Sequence, residues 1–135
     1  MLSVTTQLRV RYAETDQMGY VYYGNYAQYF EVGRVEALRS LGYTYRFMEE
    51  SGVMMPVANM DIKFIKPARY DDLLSITTRI KEMPSAKMIF EYEIKNESNL
   101  LIVTGSTTLV FIDVNTQRIT RSPDFLTQAL KPYFE

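Results

Sequence analysis

Apolar and polar residues alternate through Leu8-Arg9-Val10-Arg11-Tyr12, the period-two pattern of a strand with one buried face. From Asn25 the period lengthens. Tyr26, Phe30, Gly33, Ala37 and Leu41 recur at helical spacing, and Tyr29 and Leu38 widen the apolar stripe, which predicts a long, largely buried helix. Its polar residues Glu31, Arg34, Glu36 and Arg39 make two Glu-to-Arg pairs three apart, the spacing of ion pairs on an exposed helix face. Gly42 stands where a helix C-terminal glycine is expected. Thr44 is placed to cap a short second helix that runs through Glu50 and ends at Ser51-Gly52.

After Pro56 the texture becomes that of strands, over Val57 to Ile65, Leu73 to Lys81, Lys87 to Lys95 and Leu100 to Asp113. The separators are Pro67-Ala68-Arg69-Tyr70-Asp71-Asp72, Met83-Pro84-Ser85 and Asn96-Glu97-Ser98-Asn99. Connections this short imply antiparallel neighbours. Phe90, Tyr92 and Ile94 share one face of their strand and Glu91, Glu93 and Lys95 the other, so one side of the sheet is wet and the helix covers the opposite side. Ser122-Pro123-Asp124 supplies a cap, a first-turn proline and an acidic residue, the start of a terminal helix to about Leu130. The expected class is α+β: an antiparallel sheet curled around one long helix, with an edge strand left free for pairing with a second copy.

Composition narrows the chemistry. The 135 residues suffice for one domain, and no repeat, low-complexity segment or linker divides them. A net charge of -1 gives no electrostatic reason to expect nucleic acid or an anionic membrane as partner. No apolar run approaches the roughly 20 residues that span a bilayer, and Met1 to Val10 lacks the pattern of a secretory signal, so a soluble cytoplasmic protein is expected. Histidine and cysteine are both absent, which excludes Ser-His-Asp and Cys-His catalysis and removes the usual imidazole and thiolate metal ligands. Of the eleven tyrosines, four fall between Tyr20 and Tyr26, a concentration suited to a ligand cleft or a subunit interface.

The chemistry-bearing stretch is Tyr12-Ala-Glu-Thr-Asp16-Gln-Met-Gly19-Tyr-Val-Tyr-Tyr23-Gly-Asn25-Tyr26, in which a lone carboxylate precedes an aromatic helix start. With Glu31 and Arg34 on the following helix, it resembles the signature of hot-dog-fold acyl-CoA thioesterases of the 4-hydroxybenzoyl-CoA thioesterase type. A second block, Phe64-Ile-Lys-Pro67-Ala68-Arg69-Tyr70-Asp71-Asp72, resembles the turn beside the active site in the same family, and the order of elements agrees from Leu8 to about Asp113. The resemblance implies that Asp16 is catalytic, as nucleophile or as general base toward water. It also implies that the Tyr23 backbone N–H, at the start of the long helix, polarises the thioester carbonyl. A helix N-terminus suits that task because its free N–H groups and positive dipole end favour an oxygen that becomes anionic. Many members carry histidine at the Tyr23 position; the tyrosine here removes imidazole assistance and leaves the backbone amide in place.

The same residues have plainer readings. An aspartate before a helix is commonly a cap or an Asx-turn residue, although Asp16 lies several positions ahead of the helical period. Gly19 and Gly24 read as turn glycines that let substrate approach the backbone, and Asn25 reads as the helix cap. Tyr22, Tyr23 and Tyr26 suit either an acyl pocket or a core and interface role. Asn59, Met60 and Asp61 lie on the strand that the family sets beside the thioester, with Met60 equally suited to core or pocket wall. Lys63, Lys66, Arg118 and Arg121 are cationic candidates for coenzyme A phosphates, or solvated surface charge. Asp71 and Asp72 are adjacent in a turn and diverge, so turn chemistry rather than a metal is expected there. The resemblance implies no metal and no bound cofactor, an acyl-CoA or acyl-carrier-protein thioester as substrate, and a homo-oligomer built as a dimer of dimers. A hydroxyacyl-thioester dehydratase is the competing enzyme class, and the lack of histidine argues against it. A non-catalytic acyl-thioester binding module is the competing non-enzyme.

Overall fold

In the computed structural model, which describes residues 1–135, a sheet of seven strands packs on one long helix. The strands are β1 (Leu2–Arg9), β2 (Val53–Met54), β3 (Val57–Phe64), β4 (Leu73–Ile80), β5 (Lys87–Lys95), β6 (Leu101–Asp113) and β7 (Ile119–Thr120). The helices are α1 (Tyr26–Ser40), α2 (Tyr45–Glu50) and α3 (Asp124–Leu130). The main sheet runs β1-β4-β5-β6, all antiparallel, with β3 on the far side of β6 and the two-residue strands β2 and β7 on the C-terminal end of β6. This is the hot-dog arrangement that the motif implies.

The period-two strands bury one face as their sequences require. Along β5 the buried residues are Met88, Phe90, Tyr92 and Ile94; along β4 they are Leu74, Ile76, Thr78 and Ile80. Helix α1 lies on this face. The Phe30 ring stacks on Tyr92 with centroids 4.3 Å apart and planes 5° from parallel. Burying each such large side chain contributes about 1.5–3 kcal/mol. Gly33 faces β4 so closely that a Cβ would overlap the Thr78 hydroxyl, so the helix sits deeper on the sheet than any larger residue allows.

Four expectations need correction. The first strand is Leu2–Arg9 rather than Leu8 to Tyr12: inward positions Leu2, Val4, Thr6 and Leu8 continue the alternation through a threonine, and Tyr12–Glu14 turns as a 3-10 helix. The strands either side of Pro67 are not neighbours. The 65–72 segment crosses the end of the sheet, passing β6 and β5, because its backbone is claimed by other segments: Ile65 and Lys66 N–H donate to Ile102 O, and Ala68 O accepts from Val21 N at 2.8 Å. Arg34 is not a surface partner of Glu31. It is buried, and its Nε donates to the Tyr45 hydroxyl at 2.7 Å and its Nη1 to the Tyr92 hydroxyl at 3.1 Å, while Glu36 and Arg39 do pair as expected. At the terminal helix, Pro123 rather than Ser122 holds the cap position and no side chain caps the start. The second helix follows expectation, with Thr44 Oγ1 accepting from Phe47 N at 3.0 Å.

Candidate active site

Residues 11–25 form a loop that is bonded across itself before it enters α1. Arg11 opens the 3-10 turn Tyr12–Glu14; Thr15 and Val21 pair as an isolated bridge, and Asp16 N donates to Tyr20 O at 2.7 Å. Within the tip, Asp16 Oδ1 accepts from Met18 N at 2.9 Å and from Tyr20 N at 3.2 Å. Gly19 has φ +78°, a left-handed conformation that a residue with a side chain adopts at a cost of roughly 1–2 kcal/mol. Asp16 therefore performs the Asx-turn role that its sequence position allowed. That role occupies one carboxylate oxygen. Oδ2 has no hydrogen-bond partner in the protein and the residue lines a cleft.

The cleft has a volume of about 310 Å³. One wall is Asp16, Met18, Tyr20 and Val21; another is Tyr23 and Tyr26 at the helix start; the third is Phe64 to Pro67, from the end of β3 into the crossing segment. Phe64 knits the walls together, with its ring 5.8 Å from Tyr26 and 6.3 Å from Tyr23. Tyr26 is buried and rests edge-on against Tyr29, and burial raises its phenol pKa, so it enters the cleft as an uncharged surface.

The helix start differs from the expected one. A single 3-10 turn, Tyr23–Asn25, precedes α1, and Asn25 has helical backbone angles, so its side chain cannot fold back as a cap. Asn25 Nδ2 instead donates to Glu14 O at 2.9 Å, tying the helix start to the loop. The effective first donor is Tyr22 N, which also goes to Glu14 O. The Tyr23 and Gly24 amides donate to no protein oxygen. They stand at the positive end of a helix, beside the cleft that Tyr23 lines. A Cβ at Gly24 would lie 2.8 Å from the half-exposed Tyr22 ring, which would have to swing aside.

The remaining candidates are scattered. Tyr22 is half exposed and stacks obliquely on Tyr23, outside the cleft, and Gly19 and Gly24 shape its edge without lining it. Asn59, Met60 and Asp61 are exposed on β3, opposite Thr108, Thr107 and Ser106 of β6. Asp61 and Lys63 border a different depression, about 480 Å³, on the outer sheet face, which they share with the cross-strand pairs Arg79–Glu93 and Lys81–Glu91. Of the four cationic candidates only Lys66 reaches the cleft; Arg118 and Arg121 flank β7. Asp71 and Asp72 turn to separate partners, Arg9 and the Arg69 amide.

Sequence reading missed Glu14. It is 8% exposed, and its carboxylate takes four hydrogen bonds: Oε1 from Arg11 N and the Tyr29 hydroxyl, each at 2.9 Å, and Oε2 from Arg11 Nε at 3.0 Å and Nη2 at 2.6 Å. Burial works to raise its pKa, but the Arg11 and Tyr29 bonds outweigh it and hold the carboxyl below the usual range. Tyr29 is pushed the other way, far above a free phenol, by burial and by the carboxylate it serves. The spacing of Arg11 and Glu14, three apart at a turn, was the available signal.

A half-bonded carboxylate and a helix start with unclaimed amides line one largely apolar cleft, on a sheet wrapped around its helix, and these are parts that acyl-transfer chemistry requires. The chain belongs to the thioesterase-like superfamily, whose family model matches residues 10–130. It is 36% identical over 107 residues to the putative acyl-CoA thioesterase YneP of Bacillus subtilis, covering 79% of this chain and 78% of that one. It is 32% identical over 106 residues to the acyl-CoA thioester hydrolase YbgC of Escherichia coli, covering 78% and 79%. The structure superposes on that of a DHNA-CoA thioesterase from Staphylococcus aureus with a TM-score of 0.85 and 35% identity, covering 99% of this chain and 85% of the other.

Proposed function

We propose that the protein hydrolyses acyl-CoA thioesters, using the Asp16 carboxylate and the Tyr23 backbone N–H. The observation that carries this reading is the cleft itself: a carboxylate with one oxygen bonded and one free shares it with a helix start whose first amides are unclaimed. The thioester carbonyl oxygen accepts from Tyr23 N–H, which stabilises the negative charge that grows there on attack. Asp16 Oδ2 either attacks the carbonyl carbon, forming a mixed anhydride that water then hydrolyses to release the acid and regenerate the carboxylate, or takes a proton from a water that attacks directly. In both routes the C–S bond breaks, the thiolate leaves and takes up a proton, and one water is consumed, its oxygen entering the acid directly or, when water opens the anhydride at Asp16, entering the carboxylate and reaching the acid in a later turnover. The Asx-turn bonds to Oδ1 hold the carboxylate in place for either route. The names and folds of the relatives support the reaction class, and the absence of histidine from the chain weighs against a dehydratase.

The reading includes no metal and no bound cofactor, with Lys66 at the cleft available to the pantetheine arm or a phosphate of the thiol carrier. Coenzyme A and acyl carrier protein present the same arm, and the names of the relatives favour coenzyme A. It also includes a homo-oligomer, a dimer paired into a tetramer. Strand β3 pairs only with β6, and exposed Val57, Met60 and Phe64 lie along it with exposed Ile65 just past its end, a free sheet edge with an apolar border that a second copy would cover. No helix of the chain is long and apolar enough to cross a membrane, and a reducing cytoplasm, where cysteine-free chains lose nothing, is the compartment assumed.

The experiment is a panel of aromatic, short-chain and long-chain acyl-CoA thioesters assayed for free-thiol release, before and after exhaustive chelation, with the protein's mass measured by sedimentation equilibrium. Turnover of at least one substrate, undiminished by chelation, in a species heavier than the 15.7 kDa chain is expected. Binding without thiol release across the panel would replace the enzyme by a binding module.

A further inference from the structure

Glu14 is the most heavily bonded charged group in the molecule, yet it lies behind the cleft wall and none of its atoms lines the cleft. Its bonds run in two directions. The side chain reaches back to Arg11 and across to the Tyr29 hydroxyl on α1, while the main-chain oxygen of the same residue accepts from Tyr22 N at 2.9 Å and from Asn25 Nδ2 at 2.9 Å. Two residues further on comes Asp16. One residue thus fixes the turn that carries the carboxylate, the turn that carries the free amides, and the helix from which those amides project.

We propose that Glu14 is the positioning residue of the site: clamped by Arg11 and Tyr29, it sets the distance and direction between Asp16 Oδ2 and the Tyr23 and Gly24 amides without touching substrate. This rests on the thioesterase reading above and adds a residue to it. An acid–base role for Glu14 is excluded by its surroundings. Four donors occupy the carboxylate and none of its atoms reaches the cleft, and the bonds from Arg11 and Tyr29 hold its pKa below the usual range, so nothing places it to exchange a proton with substrate. Its charge matters because every group facing the carboxylate donates to it, Arg11 N, Nε and Nη2 and the Tyr29 hydroxyl, and a neutral amide in its place turns one of its own donors toward them. A clamp of this kind acts on the rate through geometry, where displacements near 1 Å are felt strongly in the reaction and weakly in binding.

The test uses the full-length protein in two variants, Glu14→Gln and Tyr29→Phe, the second removing a single hydroxyl while keeping the ring that packs on Tyr26. For each, kcat and KM are measured on the best acyl-CoA substrate, with thermal unfolding and site-resolved amide hydrogen exchange. The proposal expects kcat to fall by about 10- to 100-fold in Glu14→Gln and by about fivefold in Tyr29→Phe, with KM within about twofold of wild type. It also expects the Tyr22 amide to exchange faster in both, while sheet amides of β4 and β5 keep their wild-type rates. Wild-type kcat in Tyr29→Phe overturns the proposal, as does a reduced kcat with unchanged exchange at Tyr22 or one that merely follows loss of folded protein. If Glu14→Gln fails to fold, Tyr29→Phe decides alone. A wild-type protein without thioesterase activity removes the functional reading instead, and the exchange data then judge the clamp separately.

Discussion

Asp16 and Arg34 are both charged residues set among tyrosines, one at each end of the same structural problem. Arg34 lies in the core between α1 and the sheet, and its guanidinium is held by the hydroxyls of Tyr45 and Tyr92, the latter also bonded to Thr107 Oγ1 at 2.6 Å. Burial raises both phenol pKa values, with the guanidinium pulling against it, so the tyrosines remain neutral acceptors. That network joins α1, α2, β5 and β6. Asp16 is held differently: two amides of its own turn bind Oδ1, Oδ2 has no partner in the protein, and the residue lines a cleft walled by aromatic and aliphatic side chains. A charge drawn wholly into neighbouring groups builds a fold, whereas one left with a free lone pair beside unclaimed donors can act on a ligand.

The widest separation between the two regions is expected in activity. Asp16→Asn keeps the turn bonds to Oδ1 and removes the charge, so kcat on an acyl-CoA substrate should fall about 10²-fold or more, with the unfolding midpoint and substrate affinity near wild type. A variant with normal turnover would place the chemistry elsewhere. Tyr92→Phe should do the reverse. It leaves the buried guanidinium one acceptor short and strands Thr107 Oγ1, costing about 1–3 kcal/mol in chemical denaturation, while kcat of the folded enzyme changes by less than about twofold. Equal losses of activity and stability in that variant would dissolve the distinction between the regions.

Gly19→Ala probes the point where backbone and chemistry meet. Its φ of +78° predicts a stability loss of roughly 1–2 kcal/mol, and because the strain is released by reshaping the Asp16 turn, kcat should fall as well. The smallest effect concerns acid. Glu14 has a folded-state pKa below its ordinary value of 4.5, so its contribution to stability is complete above that pH and disappears as pH falls through the folded value. Denaturation midpoints measured between neutrality and pH 3 should therefore decline more steeply in wild type than in Glu14→Gln, and parallel curves would show the carboxylate to be uncoupled from folding.

The same contrast explains what the sequence revealed. Asp16 and Tyr23 stand in one continuous motif, and a local turn followed by a helix start is enough to bring them to one cleft. The strands from Val57 onward and helix α1 were legible because their apolar periods are long and regular; β1 was displaced by the threonine and glutamine positions that carry its alternation, and two-residue strands have no period to read. Arg34 was misread as surface charge because its partners, Tyr45 and Tyr92, are 11 and 58 residues away, and helical spacing to Glu31 offered a closer explanation. Asn25 was assigned a cap that its helical backbone angles preclude. The third wall of the cleft, Phe64 to Pro67, lay within the second motif, yet its approach to Tyr23 and Tyr26 depends on a chain crossing over two strands, which short-connection reasoning had ruled out.

Mass spectrometry of the wild-type reaction in ¹⁸O-labelled water tests the central claim most directly. Across a panel of acyl-CoA thioesters that includes a 3-hydroxyacyl-CoA, hydrolysis predicts equal amounts of free coenzyme A and carboxylic acid from at least one substrate, the acid carrying oxygen from the solvent. Every thioester recovered intact and unlabelled would make the protein a binding module, and the hydroxyacyl thioester recovered lighter by one water would make it a dehydratase; either result contradicts hydrolysis.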